Sequence, residues 1–331
     1  MPGKHKKQQK TTASRRKTKR KKNKPSKASQ KSAQSKTVVA AVLDSQKLQD
    51  LYATMLRTHT LNRRAGKILS ATLATMGREA VLVGAIAHTL PGDSVAAVQD
   101  EFLISLIRGD SLKSVIEQIA HGNSQPSGPP EQDGAGGPRE VITIKRGMAL
   151  AAENKGRPNV VLVFPGEYGK GQSAAHEALN LAAKDKLPLV CLAEMPSSNA
   201  EEQRASALSA GVPNFPRIAV DGADVVAIFR VAQEAIRRAR AGHGPSLIEC
   251  VMPNNATAHP AEETPVALLF MQQYLERRGL WSEEWQQKIA REFQLQLDAA
   301  IAETSNEQSN FNQIDESDRT AARSPQRLEF S

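Results

Sequence analysis

The sequence predicts an α/β fold, a parallel sheet flanked by helices, and two observations carry that prediction. First, from Val160 onward short continuous apolar runs recur: "VVLVF" at 160–164, "LPLVCLAE" at 187–194, "RIAV" at 217–220 and "PSLIECVM" at 245–252. Runs of this length without alternation are what strands show when both faces of their sheet are covered. Second, the stretches between them keep helical spacing. Val225, Ile228, Phe229, Ala232, Ala235, Ile236 and Ala239 fall on one stripe of "DGADVVAIFRVAQEAIRRARAG", and Ala175, Leu179, Ala182 and Ala183 share a face of "SAAHEALNLAAK". Strands alternating with helices imply βαβ crossovers and parallel pairing.

The elements before this region are helical. Leu48, Leu51, Tyr52, Met55 and Leu56 are spaced i, i+3, i+4, i+7, i+8, which predicts an amphipathic helix over Ser45–Lys67. "REAVLVGAIAHTL", Arg78 to Leu90, is apolar on most faces, so a buried core helix is expected until "PGD" stops it. "SLKSVIEQIAHG" reads as a third helix, with Gly122 as its C-terminal stop. Residues 122–139 then loosen, nine of eighteen being Gly or Pro, which predicts a loop or a local gap. A short helix at about 141–154 leads into the strand at Val160.

Charge divides the chain into three. Residues 1–36 carry 15 Lys and Arg and no acid, which leaves 29 bases against 35 acids in the rest, near −6. "RRKTKRKKNKPSKASQKS" has no apolar face and cannot offset its own ordering entropy, so residues 1–36 are expected to be a disordered arm. Such an arm either solvates the chain or binds polyanions such as nucleic acid through residues 4–36. It lacks the interleaved leucines or aromatics of a mitochondrial presequence. The α/β domain is placed at 45–303, and residues 304–331 are read as a polar disordered tail. No apolar run reaches the ~18 residues of a membrane span. Cys191 and Cys250, the two cysteines, lie in strand-like runs and read as buried reduced thiols. A cytoplasmic location is expected.

The strand at Val160 runs into the glycine-rich loop "GEYGKG", Gly166 to Gly171, at the strand end where parallel sheets bind ligands. It does not fit a phosphate loop of the NTPase type, because two residues rather than four separate Gly166 and Gly169, and Gly171 follows Lys170 where Ser or Thr belongs. Nor does "GKGQSA" complete a dinucleotide fingerprint. His176, on the helix after the loop, points either toward it or into solvent, and His259 reads as a loop residue. No two histidines have metal-ligand spacing.

Six stretches go beyond fold class. "LYATMLRTHTLNRRA", "GREAVLVGAIAHTLPGD", "LIRGDSL", "HEALNLAAKDKLPLV", "VDGADVVAIFRVAQEAIRRARAGHGPSLIE" and "YLERRGLWSEEW" occur in this order. They closely resemble the alpha subunit of the 2-oxo acid dehydrogenases of the pyruvate dehydrogenase type, over residues 45 to 290. The resemblance implies a thiamine-diphosphate-binding fold, an oxidoreductase family, and a beta subunit as partner in decarboxylating a 2-oxo acid.

The same resemblance implies where cofactor contacts belong, and this chain departs from it there. The family's Gly-Asp-Gly falls on Gly166, Glu167 and Tyr168, which makes Gly166 and Glu167 the cofactor positions and Glu167 the metal position. Glutamate is one methylene longer than the family's aspartate, and magnesium tolerates poor octahedral geometry badly. The two asparagines after the next strand, the second a metal ligand, fall on Met195 and Pro196. The diphosphate-binding Tyr-Arg pair falls on Gln99 and Asp100, a reversal of charge. The Gly-Ser-Met-His loop is replaced by the 122–139 stretch, and Gly-Ala-Gln falls on Arg139, Glu140 and Val141. "NATAH" keeps no arginine of the late Arg-x-x-Gly-His motif, and its histidine, His259, is shifted by one position. Losses at each contact beside an intact scaffold imply a non-catalytic paralogue, a structural or interaction subunit that needs no cofactor. It would form homo-oligomers or pair with a beta-subunit-like chain. The alternatives are a working subunit that holds thiamine diphosphate and magnesium through Glu167, and a domain turned to another ligand.

Overall fold

In the computed structural model, five parallel strands form one sheet in the order β1-β2-β3-β5-β4. The structure describes residues 43–69, 77–98, 101–120, 139–167, 172–196, 214–253 and 264–322. The strands are β1 (Ser94–Ala97), β2 (Val161–Glu167), β3 (Leu189–Pro196), β4 (Arg217–Asp221) and β5 (Ser246–Met252). The described helices are α1 (Ser45–Leu69), α2 (Glu79–Ile86), α3 (Glu101–Arg108), α4 (Leu112–Ala120), α5 (Arg139–Glu153), α6 (Gln172–Lys184), α7 (Val225–Arg240), α8 (Val266–Arg277) and α9 (Glu283–Ala322). The predicted parallel sheet is therefore present, and the arm and the 122–138 stretch lie outside the described residues.

Two apolar cores lie on the two faces of the sheet. On one face Leu162, Phe164, Val190, Leu192, Ile248 and Cys250 pack against α1, α2, α7, α8 and α9. On the other, Val161, Val163, Leu189, Cys191 and Leu247 pack against α5 and α6. Alternate residues of one strand thus feed opposite cores, which is why these strands read as unbroken apolar runs. Cys191 and Cys250 are free buried thiols on opposite faces.

All eight residues of α2 are buried, as its uniform apolarity predicts. Its Gly84 is a contact residue: a Cβ there would come within 2.9 Å of Ile228 Cγ2 and 3.1 Å of the Val225 carbonyl. Glycine lets α2 and α7 approach closely enough to bury both apolar faces. The stripe on α7 predicted from its spacing is buried at every position, and Asp224 caps its start by accepting from the Val226 and Ala227 amides at 2.9 Å each.

Three differences from the sequence reading have physical causes. β1 is only four residues, "SVAA", too short to register as an apolar run, and becomes a strand by pairing along β2. The short helix α3 precedes α4 across Gly109, where φ is +95°. The backbone of α9 continues as helix past residue 303 to Ala322, where a tail without order is expected. Its inner half is held by Phe293, Leu297 and Ala300, which are buried among α1 and α4, and helix propagates readily from such an anchored start.

Candidate functional site

Strand order locates the crevice. The chain steps from β1 to β2 to β3, then goes to the far edge at β4 and returns to β5. The β2-to-β3 crossover α6 packs on one face and the β4-to-β5 crossover α7 on the other. The order therefore reverses between β3 and β5, and such a switch leaves a crevice at the carboxyl ends of the flanking strands.

The predicted cofactor positions lie beside it. Gly166 and Glu167 are the last two residues of β2, register-paired with Ala193 and Glu194 of β3. A register shift between Val163 and Gly166 inserts one residue into β2, at the stretch containing Pro165, which has no amide hydrogen to donate to a ladder. Gly166 has φ +83°, and a Cβ there would meet nothing within 4 Å. Backbone conformation rather than crowding favours glycine there. Tyr168, Gln99, Asp100 and His259 lie outside the described residues.

The end of β3 is occupied by side chains of this chain. Glu194 is ion-paired with Arg78, the N-cap residue of α2, and both side chains are nearly buried. Met195, at the first of the two asparagine positions, is 1% exposed. Pro196 ends the strand. Behind α2's first turn, Glu79 accepts from the Gly77 amide at 3.0 Å and pairs with His59 Nδ1 at 3.1 Å. Magnesium calls for hard oxygen donors in near-octahedral array. The described side chains at the end of β3 offer one carboxylate, which a guanidinium already holds, and a thioether. These two side chains do not by themselves supply the oxygen shell of a magnesium diphosphate. Among the described residues, no group of three or more His, Cys, Asp or Glu could hold a metal.

His176 belongs to a different cluster. It lies on α6 with its ring 6.4 Å from Phe215, near the ion pair of Arg217 and Glu249 at 2.5 Å. Burial lowers its imidazole below the ordinary value, Arg217 lowers it further, and Glu249 opposes both. The ring packs beside Phe215 and the Arg217–Glu249 pair of β4 and β5. Burial likewise pushes both thiols up, so Cys191 and Cys250 stay protonated and unreactive. Sequence reading missed Arg78 and Glu194, because residues 116 positions apart leave no local spacing to find.

Comparison with known proteins settles the family, since residues 47–311 match the model of the dehydrogenase E1 component. The chain belongs to the dehydrogenase E1 component family, as an alpha-type subunit. It is 35% identical over 206 residues to the alpha subunit of an acetoin:2,6-dichlorophenolindophenol oxidoreductase of Bacillus subtilis, covering 54% of this chain and 60% of that protein. It is 27% identical over 289 residues to the pyruvate dehydrogenase E1 component subunit alpha of Acholeplasma laidlawii, covering 78% and 82%. The corresponding subunit of Staphylococcus aureus is 28% identical over 182 residues, covering 48% and 49%. Among the described residues of this E1 alpha-type chain, no helix is long and apolar enough to cross a membrane.

Proposed function

We propose that this chain is a non-catalytic E1 alpha-type subunit, a structural or interaction component that associates with itself or with a beta-subunit-like chain. The observation that carries the reading is the end of β3, where a buried Met195 stands at the first of the two asparagine positions and the residue before it, Glu194, is engaged by Arg78. The sequence adds Asp100 where a guanidinium is expected. Like charges at about 4 Å repel by roughly 4 kcal/mol at an effective dielectric of 20. Loss of a charge-assisted hydrogen bond removes about 1.5–3 kcal/mol more. Together these shift a micromolar site to roughly ten millimolar or weaker. In this reading residues 4–36 serve as a polyanion-binding arm, and the reduced thiols of Cys191 and Cys250 suit a cytoplasmic setting.

Calorimetric titration of the full chain with thiamine diphosphate and magnesium tests the reading. The expected result is no heat of binding at micromolar concentrations. Micromolar, magnesium-dependent binding would favour the second reading, a working subunit that uses Glu167 and a beta-type partner to decarboxylate a 2-oxo acid.

A further inference from the structure

Near the carboxyl ends of β3 and β5, where the strand order reverses, two of the chain's own charges meet. Arg78 comes from the N-cap of α2, in the helix layer, and Glu194 from near the carboxyl end of β3. The two side chains are 8% and 12% exposed. Glu194 is register-paired with Cys250 of β5, so the ion pair lies across the strand pair at which the order reverses. We propose that the Arg78–Glu194 pair is an internal plug: Arg78 is the resident cation of the switch point and holds α2 to β3 with no bound group.

The surroundings agree. Burial pushes the Cys250 thiol up, Glu194 adds to the push, and Arg78 opposes it, so both charges are felt inside β5. Met195 fills the next position with a buried apolar side chain. The His59–Glu79 pair fixes the neighbouring residue of α2, leaving Arg78 aimed at β3 rather than at solvent. A guanidinium beside a buried carboxylate does locally what a bound cation would do, neutralising charge at the strand end.

This deepens the non-catalytic reading, and its test is separable from the calorimetric one. A double-mutant cycle in the full chain compares R78M, E194M and R78M/E194M by thermal unfolding without ligand. Each single change strands a buried charge and should lower the midpoint by roughly 6–15 °C, while the double variant should lose far less than the sum. Additive losses would overturn the plug and leave the non-catalytic reading untouched. Should the single variants be recovered only unfolded, folded R78M/E194M supports the pairing equally, and a double variant no better than the worse single overturns it. Stabilisation of the wild-type chain by thiamine diphosphate and magnesium would instead sink the non-catalytic reading, while the ligand-free cycle still decides the pair.

Discussion

At the amino end of the sheet one carboxylate, Asp93, gathers four hydrogen bonds; at the carboxyl end another, Glu194, meets the Arg78 guanidinium. Asp93 accepts from the Leu90 and Val160 amides at 2.8 Å each and from both terminal nitrogens of Arg240 at 3.1 and 2.8 Å. Arg240 also donates to the Pro158 carbonyl, and Arg108 to that of Asp93. One side chain thus ties the turn after α2, the start of β2 and the end of α7. At the carboxyl end Met195 is buried and Glu194 pairs with Arg78, next to the strand end that the family resemblance assigns to cofactor contacts. The amino end is a closed structural joint built on one carboxylate with several partners, while the described carboxyl end rests on a single buried ion pair.

The largest expected effect breaks the amino-end joint. Asp93→Ala leaves a partly buried guanidinium and two amides without this acceptor, and should cost about 3 kcal/mol in urea unfolding. A loss below about 1 kcal/mol would show that the joint is ornamental and that the contrast between the ends is false. At the carboxyl end, Gly166→Ala places a Cβ in open space but forces an alanine into left-handed backbone. The expected cost is about 1–2 kcal/mol, from conformation alone. A cost matching that of Asp93→Ala would mean that the loop after β2 is packed as tightly as the amino end. Asp224→Ala removes the α7 cap just beyond β4 and should cost about 1 kcal/mol, read from the same unfolding midpoints.

The smallest effect is a pH slope at the amino end. Burial holds the His88 imidazole below its ordinary value; its bond to the Phe229 carbonyl opposes this and Lys47 reinforces it. Because the folded-state value is depressed, the unfolded chain takes the proton first as pH falls. Stability is therefore complete above about pH 6.5 and declines below it. His88→Gln should flatten part of that decline, with His176 supplying more of the same sign. A variant with an unchanged slope would exclude His88 as a contributor.

How much of this was legible in the residues follows from the range of the forces involved. The apolar runs of β2, β3 and β5 and the stripe on α7 are local patterns, set by the periods of strand and helix, and the structure places them in the sheet and core as read. The family followed from six ordered stretches, and the match over residues 47–311 agrees with them. β1 escaped notice because four small residues carry no periodic signal until β2 supplies hydrogen bonds. The site positions Gly166 and Glu167 were named by resemblance, and their place at the end of β2 beside the switch point emerged only with strand order.

By itself, then, the sequence determined most of the elements, the parallel class, the family and the split of charge between arm and body. Tertiary structure alone decided which charges neutralise each other. Asp93 finds Val160 and Arg240 from 67 and 147 residues away, and Arg78, at the start of α2, finds Glu194 on β3. Local periodicity is a property of the backbone's own repeat, so it is written along the chain. Pairing of buried charges depends on which strand ends the crossovers bring together, and the order β1-β2-β3-β5-β4 is settled only when both apolar faces are covered at once.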